Sequence, residues 1–380
     1  MAVEKTNFHS YCSGKLHKGC ELCVQGKKLV LFITGRCAQR CFYCPINEKK
    51  YGQDVVYANE WKIEDPKDPK ELLEEARLTR ACGAGITGGD PLMDLDRCVD
   101  YITLLKKEFG KRFHIHLYTP LKLVSEQALA RLHQAGLDEI RFHPDLDDDS
   151  LWPRLSLGRK FKWEVGVEIP VIPGYEAKTK KLIDFMAGKV DFLNLNELEV
   201  SDTQAAHYSL DRLGFIPKDD VSYGAKGSVE LGLGLVEYAQ SKGIDTHLCT
   251  AQLKDSVQVQ MRIKRRAQGV ALPTDIKTSE GLLIRGCVYL PGLAPGVSYR
   301  AKIAAADKTA TMKRLEEAAG KLKVSSGSTK FQIDDFKLRL LTSKDAVKRL
   351  AKVIKKAGFI PAIVEEYPTR DGIEMDIEFL

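Results

Sequence analysis

Three closely spaced cysteines are the residues of this sequence best suited to chemistry. Cys37, Cys41 and Cys44 form the pattern C-x3-C-x2-C. Three thiolates on one loop can bind three irons of a cubane iron–sulfur cluster, and such clusters usually have four thiolate ligands. The fourth iron would then be open to a ligand that takes part in a reaction. The alternative is a zinc loop that takes its fourth ligand from elsewhere in the chain.

A glycine pair with a following acid comes one predicted strand later. Gly88, Gly89 and Asp90 follow the short segment AGIT. Adjacent glycines allow a ligand to approach the backbone closely, and a carboxylate beside them can accept a hydrogen bond from an ammonium group. The alternative interpretation is a tight turn in which the aspartate is a cap.

Four further cysteines predict a second metal site. Cys12, Cys20 and Cys23 form the pattern C-x7-C-x2-C before the first long strand, and Cys249 ends a later strand. We expect these four to bind zinc or a second [4Fe–4S] cluster, with free thiols as the alternative. The remaining cysteines lie in helical or strand patterns and are predicted to be small buried side chains: Cys82, Cys98 and Cys287.

Polar side chains near the ends of later strands could line the same site. The set is Thr119, Arg141, His143, Glu168, Asn194, Asn196 and Glu197. Asn194 and Asn196 alternate onto one face of an apolar strand, where burial would require hydrogen-bond partners. The alternatives are solvated strand ends and a hydrogen-bonded ladder. His114 and His116 also share a strand face, but without a recognisable third ligand they are predicted to be core or lining residues.

The segments that carry these residues alternate between strand and helix patterns. Strands are predicted at 29–35, 83–89, 113–120, 138–145, 162–174, 190–199 and 245–250, and helices at 68–82, 94–109, 125–136, 178–189 and 227–243. Such alternation indicates parallel strands covered by helices, which makes the fold class α/β. Six or more units could close a full or partial barrel with its site at the carboxyl ends of the strands.

The cysteine loop and the GGD segment together resemble the radical SAM superfamily. Its hallmark is C-x3-C-x-aromatic-C after the first strand, here with Tyr43 as the aromatic residue, and a GGE-like motif after the second. Asp90 stands where Glu is usual. The segments GCELC, YCP, IPVIPGY (169–175) and LNLNELE (193–199) resemble archaeal proteins related to pyruvate formate-lyase activating enzyme. The resemblance covers roughly residues 15–280.

This resemblance implies a partial (β/α)6 barrel and a specific chemistry. Cys37, Cys41 and Cys44 would hold a [4Fe–4S] cluster that reductively cleaves S-adenosylmethionine (SAM) to a 5′-deoxyadenosyl radical. An electron donor such as ferredoxin or flavodoxin would be a partner. The residues expected to bind the cofactors are Gly88, Gly89, Asp90, Thr119, Arg141, Glu168 and Asn196.

The pattern changes near residue 270, which predicts a second domain. We expect an N-terminal cysteine-containing segment at 1–28, the barrel at 29–280 and a smaller basic α+β domain at 281–380. The last domain is predicted to have strands at 282–290, 331–341, 360–368 and 374–380, and helices at 310–324 and 343–358.

Charge and composition limit the class of partner. The apolar runs are too short to cross a membrane and the first residues lack a signal-peptide pattern, so we expect a cytoplasmic protein whose cysteines serve metal or catalytic roles.

The net charge is +6, and residues 281–380 hold 18 Lys and Arg against 12 Asp and Glu. With the basic stretch at 262–266, this favours a macromolecular substrate, with tRNA slightly ahead of a protein. The alternative of another class is a zinc-stabilised nucleic-acid-binding protein without catalysis.

Overall fold

Buried strands separated by amphipathic helices dominate the first 262 residues, as the alternating pattern predicts. The structure is a computed structural model that describes residues 2–201, 203, 205, 208–326 and 329–380. The chain divides into two units, Met1–Arg262 and Ile263–Leu380. Within the described residues, no helix is both long enough and apolar enough to cross a membrane.

The first unit contains short edge strands and longer central ones. Its strands are β1 (Glu4–Lys5), β2 (Tyr11–Ser13), β3 (Lys28–Phe32), β4 (Tyr57–Ala58), β5 (Trp61–Lys62), β6 (Gly83–Thr87), β7 (His114–Pro120), β8 (Glu139–His143), β9 (Glu164–Val171), β10 (Phe192–Glu197), β11 (Pro217–Asp219), β12 (Ser222–Ala225) and β13 (Asp245–Cys249). Its helices are α1 (Lys18–Val24), α2 (Lys70–Leu78), α3 (Leu95–Phe109), α4 (Glu126–Ala135), α5 (Glu176–Met186), α6 (Ser228–Ser241), α7 (Ala251–Leu253) and the start of α8 (Gln260–Val270). A wider π-helical segment, Lys254–Val259, joins α7 to α8.

The central strands form the predicted barrel wall. The sheet order is β1-β2-β13-β10-β9-β8-β7-β6-β3-β4-β5, and pairing is parallel from β13 to β3. The α/β class and the partial barrel are therefore confirmed, and among the described residues β13 adds a seventh parallel strand to the six that the resemblance implies. Because the carboxyl ends of parallel strands meet at one edge, the loops that follow them are brought together there.

Local signals set the ends of the covering helices. The Ser125 hydroxyl accepts from the Ala128 N–H at the start of α4, and Gly136 ends that helix with a φ of 103°. Both residues serve the roles that the sequence predicts, because a hydroxyl satisfies a free N–H and glycine tolerates the left-handed conformation.

The N-terminal cysteine-containing segment is part of the barrel unit. β2 pairs antiparallel with β13, and α1 packs against strands of the parallel wall. At Gly19 of α1, a Cβ atom would lie 2.4 Å from the Arg141 guanidinium and 2.7 Å from the Glu139 carboxylate. Helix α1 can therefore approach the barrel interior this closely only with glycine at that position.

The second unit is a small α+β fold, as predicted. Its strands are β14 (Ile276–Lys277), β15 (Leu283–Tyr289), β16 (Gln332–Asp334), β17 (Arg339–Thr342), β18 (Ile360–Glu366) and β19 (Glu374–Phe379), and its helices are α9 (Tyr299–Ala305), α10 (Lys308–Ser326) and α11 (Lys344–Lys356) with the end of α8. The antiparallel order is β16-β17-β15-β18-β19, with β14 paired to β15.

The prediction of one strand over 331–341 is wrong. The chain reverses between β16 and β17, which pair with each other. The Asp334 carboxylate accepts from the N–H groups of Phe336 and Lys337, and Leu338 has a φ of 52°. An aspartate that bonds the backbone two and three residues on favours a turn over a continuous strand.

The boundary between the units lies earlier than the predicted one after residue 280. The units divide after Arg262, within α8. Arg266 is buried and donates to the Pro368 carbonyl, and the backbone of Gly281 lies against Lys264. Residues 263–280 therefore pack with the C-terminal sheet, although their helical pattern continues from the barrel.

Two glycines of α6 give a matched test of core packing. A Cβ atom at Gly232 would lie 2.8 Å from a methyl group of the buried Leu248, whereas no described atom lies within 4 Å of one at Gly234. We expect Gly234→Ala to raise the free energy of unfolding by about 0.5–1 kcal/mol, because alanine is the better helix former. We expect Gly232→Ala to lower it by about 1–3 kcal/mol through overpacking.

Urea denaturation followed by circular dichroism at 222 nm would measure both midpoints. Equal midpoints for the two variants would contradict the close packing of α6 on β13.

Candidate active site

A cavity of about 670 Å³ lies inside the first unit. Its lining includes residues from β3, β6, β7, β8, β9, β10 and β13, from the loop after β3 and from α1. A single cavity thus reaches all the parallel strands, and its volume suits a small-molecule site.

The three cysteines of the C-x3-C-x2-C pattern line this cavity. Cys37, Cys41 and Cys44 are partly exposed on the loop that follows β3. Burial raises the pKa of the Cys37 thiol to about 11 and that of Cys41 to about 12. A bound metal would favour the thiolates, because coordination replaces the proton.

The spacing of these sulfurs distinguishes a cluster from a single ion. Around one tetrahedral zinc, with Zn–S bonds near 2.3 Å, the sulfurs lie roughly 3.8 Å apart. Among the described residues, only His114, His116 and Glu139 form a group of three whose ligand atoms all lie within 4.8 Å of one another. The three cysteines are therefore more widely spaced than a single ion requires, and their donor set fits a polynuclear iron–sulfur cluster.

An aromatic residue anchors the cysteine loop to the barrel. The Tyr43 hydroxyl lies 2.9 Å from His143 Nε2, and His143 Nδ1 lies 2.8 Å from the Glu168 carbonyl oxygen. A carbonyl can only accept, so Nδ1 carries the proton. Burial lowers the pKa of His143, and the neutral ring then accepts at Nε2 from Tyr43. This chain of hydrogen bonds ties the residue before the third cysteine to the barrel wall.

Gly88 and Gly89 allow the end of β6 to contact the cysteine loop closely. At Gly89, a Cβ atom would lie 2.4 Å from the Arg36 carbonyl oxygen and 2.9 Å from Cys37 Cβ. At Gly88, it would lie 2.6 Å from the Thr34 carbonyl oxygen. Both glycines line the cavity as the sequence predicts, and part of the requirement for glycine comes from the loop itself.

Asp90 is placed differently from the two glycines. It is fully buried and does not line the cavity. Its Oδ1 accepts from the Leu92 N–H and from the Thr119 hydroxyl, whereas Oδ2 has no hydrogen-bond partner among the described residues. Burial raises its pKa to about 6. The carboxylate therefore caps the turn at Pro91–Asp94 and holds Thr119, and one oxygen remains available for a donor.

The other predicted lining residues form one hydrogen-bonded group. Glu168 accepts from Arg141 at 2.7 Å and from Asn194 and Asn196 at 2.9 Å each. These contacts outweigh burial and lower the pKa of Glu168. The structure thus brings Thr119, Arg141, His143, Glu168, Asn194 and Asn196 to the cavity wall. Glu197 is buried outside it, where it accepts from the Ala251 N–H and pairs with Lys218.

The second cysteine set is only partly brought together. Cys20, Cys23 and Cys249 line the same cavity as the first set. Cys12 lies on β2, does not line the cavity, and donates from Sγ to the Gly14 carbonyl at 3.6 Å. Among the other cysteines, Cys98 and Cys287 are buried as predicted, and the prediction for Cys82 is wrong because it is exposed.

Glu139 lies beside His114 and His116, and the three side chains could in principle bind a metal ion. The sequence pattern does not reveal this third residue. Two basic side chains already contact this group. Lys28 lies 2.8 Å from His114 Nδ1, and Arg141 donates to Glu139 at 2.5 Å. Burial lowers the pKa of Lys28 to about 7, whereas Arg141 stays charged. A divalent ion here would face the guanidinium at short range, so the group is better described as an internal hydrogen-bond network.

Further lining residues carried little signal in the sequence. Tyr118, His247, Lys254 and Gln258 all line the cavity. His247 could have been found, because it lies two residues before Cys249 and so shares its strand face. Lys254 and Gln258 lie on the helix after β13, and only the tertiary fold brings that helix back to the cavity.

Comparison with known proteins agrees with this geometry. The profile of the Radical SAM superfamily matches residues 31–185. A protein of Methanocaldococcus jannaschii named "Putative glycyl-radical enzyme activating enzyme" is 37% identical over 374 residues, which cover 95% of this chain and 92% of that protein.

Solved structures give weaker likenesses. Coproporphyrinogen III oxidase from Escherichia coli, described as a radical SAM enzyme, is 9% identical with a TM-score of 0.36, covering 91% of this chain and 94% of that one. Methylornithine synthase is 14% identical with a TM-score of 0.36, covering 62% and 79%. Because both TM-scores are this low, the family assignment does not depend on either structure.

The family assignment decides between the two classes that the sequence left open. Proteins of this superfamily use a [4Fe–4S] cluster and SAM, and the cavity offers three partly exposed cysteines as ligands for such a cluster. The reading as a zinc-stabilised binding protein without catalysis is wrong. The chain belongs to the radical SAM superfamily of enzymes.

Proposed function

We propose that this enzyme uses SAM to abstract a hydrogen atom from a protein substrate. The observation that carries the proposal is the 37% identity, over nearly the whole chain, to a protein named as a glycyl-radical enzyme activating enzyme. When bound, the cluster and SAM supply a 5′-deoxyadenosyl radical after the transfer of one electron. The hydrogen atom moves from a substrate C–H bond to the 5′ carbon, which gives 5′-deoxyadenosine and leaves a carbon-centred radical on the substrate.

The residues of the cavity have distinct tasks in this proposal. Cys37, Cys41 and Cys44 hold the cluster, and the Tyr43–His143 hydrogen bond fixes their loop. Gly88 and Gly89 let the cosubstrate reach the backbone, and Asp90, which is buried behind the cavity wall, holds Thr119 and the turn that follows the glycines. Thr119, Arg141, Glu168 and Asn196 contribute polar contacts deeper in the cavity.

An apolar surface near the cavity favours a protein as substrate. Leu213, Ile216, Val221 and Tyr223 are 58%, 56%, 94% and 58% exposed on and before the β11–β12 hairpin. Tyr223 and Pro45 line a cleft of about 420 Å³, and Pro45 also lines the main cavity. Exposed apolar side chains beside a site are typical of protein-binding surfaces.

The basic surfaces that suggested tRNA are only partly available. On α11, five basic side chains of the charge-rich C-terminal region are exposed: Lys348, Arg349, Lys352, Lys355 and Lys356. In the 262–266 stretch, however, Arg262 pairs with Glu60 and Arg266 is buried. The α11 surface could equally meet an acidic protein, such as the ferredoxin or flavodoxin that we propose as electron donor. A cytoplasmic location stays a prediction.

Replacement of any one of the three loop cysteines by alanine should abolish SAM cleavage. We expect Cys37→Ala, Cys41→Ala and Cys44→Ala each to yield no 5′-deoxyadenosine after dithionite reduction, because the cluster loses a ligand. Liquid chromatography would quantify the product. Cys82→Ala is the matched control, since that thiol is exposed and lies outside the cavity. Wild-type yield from any loop variant would remove that cysteine from the ligand set.

Two replacements of Asp90 separate charge from capping. Asparagine keeps an oxygen for the Leu92 N–H, whereas alanine removes it. If the carboxylate contacts the ammonium group of SAM, both variants should bind SAM roughly ten- to a hundredfold more weakly, since a contact to a charged group contributes about 1.5–3 kcal/mol.

Titration calorimetry on the reconstituted variants would measure these affinities. If Asp90→Asn binds SAM as tightly as the wild type and only Asp90→Ala loses affinity, Asp90 serves only to cap the turn and does not contact SAM.

The substrate class can be tested with an extract from cells that lack this gene. We expect the extract to stimulate 5′-deoxyadenosine formation, and we expect protease to remove the stimulation while RNase does not. Val221→Glu should reduce the stimulated rate and Lys352→Glu should not. The opposite pattern, with RNase sensitivity and a loss only in Lys352→Glu, would move the assignment to RNA, whose affinity would then fall steeply with salt.

A further inference from the structure

Three thiols from distant parts of the chain, two of them buried and one partly exposed, line the active-site cavity. Cys20 and Cys23 are one turn apart on α1, and Cys249 is the last residue of β13. Val24, Cys249 and Leu253 form a small apolar cluster that holds α1 against the end of β13. Cys98 and Cys287, by contrast, are buried away from this cavity. The first three thiols, unlike Cys98 and Cys287, therefore face the cavity.

Hydrogen-bond donors face these sulfurs. Arg141 donates to Cys20 Sγ at 3.4 Å, and Gln258 Nε2 donates to Cys249 Sγ at 3.9 Å. The side chains of Lys28, Arg141 and Lys254 line the same cavity, together with the carboxylate of Glu168. N–H donors and cations stabilise the sulfurs of metal clusters. The free Cys20 thiol donates to Asn194 Oδ1 at 3.5 Å, and a bound metal would replace that proton.

A histidine nitrogen completes the group. His247 lies on the same strand face as Cys249, lines the cavity and is 5% exposed. Its Nε2 lies 3.0 Å from the Ser10 hydroxyl, whereas Nδ1 is buried without a hydrogen-bond partner among the described residues. Metal-binding histidines typically use one nitrogen for the metal and bond the other to a neighbouring polar group.

The spacing of these groups indicates which kind of centre they suit. Within the described chain, no three of these four side chains meet the 4.8 Å limit that a single ion requires. The sulfurs nevertheless line one cavity, and Cys249 packs against Val24, which follows Cys23 on α1. Three thiolates and an imidazole are donors that iron–sulfur clusters use.

We propose that Cys20, Cys23, Cys249 and His247 hold a second iron–sulfur cluster in the same cavity. Assembly takes iron and sulfide, and each cysteine loses its proton to solvent as its sulfur binds iron. Cys12, the fourth member predicted from the sequence, is replaced by His247, which is its direct neighbour across the β2–β13 pairing. The cluster goes beyond the proposed function, which needs only the first one.

Metal analysis of the full chain, purified without oxygen, tests this proposal. Two [4Fe–4S] clusters correspond to about eight irons and eight sulfides per chain. We expect about four of each in the Cys37→Ala/Cys41→Ala/Cys44→Ala variant, with an electron paramagnetic resonance signal after dithionite reduction. We expect about four in Cys20→Ser/Cys23→Ser and a shifted signal in His247→Ala. Cys12→Ser is the matched control and should keep about eight.

Several outcomes would overturn the second cluster. One is a triple-alanine variant that contains no iron although its circular dichroism spectrum matches the wild type. Another is a wild type with only about four irons per chain. A third is one zinc per chain that is lost in Cys20→Ser/Cys23→Ser. A wild type with four irons that still cleaves SAM would remove the second cluster and leave the proposed function. If the triple-alanine variant holds four irons but the wild type cleaves no SAM, the second cluster stands and the proposed function is wrong.

Discussion

The ion pairs of one buried arginine organise the interior of the barrel. Arg141 is 2% exposed and lies between Glu139 at 2.5 Å and Glu168 at 2.7 Å. Loss of one partner from such a buried pair costs about 3–5 kcal/mol, because the remaining charge is left without compensation. Glu139 lies two residues before Arg141 on β8, and the β8–β9 register pairs Arg141 with Gly166, so that Glu168 lies two residues beyond this level on β9. The register of these two strands therefore places the arginine between the two acids.

The same arginine links the barrel wall to the N-terminal helix. The Gly19 N–H donates to Glu139 at 3.1 Å, and Arg141 donates to Cys20. Glycine at that position lets α1 approach closely enough for Cys20 and Cys23 to face the cavity. Arg141 also contacts the rings of Tyr118 and Phe192, each with its centroid 5.3 Å away. A polar interior of this kind is well defined only when each buried group has a partner.

The departures from expectation share a physical cause, which is that side chains have competing partners. Asp90 was expected to face a ligand, but the free N–H of Leu92 and the Thr119 hydroxyl engage one of its oxygens. Arg262 was expected to face a polyanion, but Glu60 pairs with it. The strand predicted over 331–341 is interrupted because Asp334 bonds the backbone of a turn. None of these partners can be identified from spacing along the chain.

Local sequence features predict a metal-binding cysteine loop and most of the secondary structure, and their resemblance to a known family predicts the chemistry. The spacing of Cys37, Cys41 and Cys44, the glycine pair before Asp90 and the alternation of apolar strands with amphipathic helices are local features, and local features can be recognised without coordinates. The tertiary structure alone decided which distant residues meet. It brought Cys249 and His247 beside α1, left Cys12 outside the cavity and placed residues 263–280 with the second unit. Such contacts depend on how strands pair and helices pack, and these arrangements are set by the whole chain and not by any one segment of it.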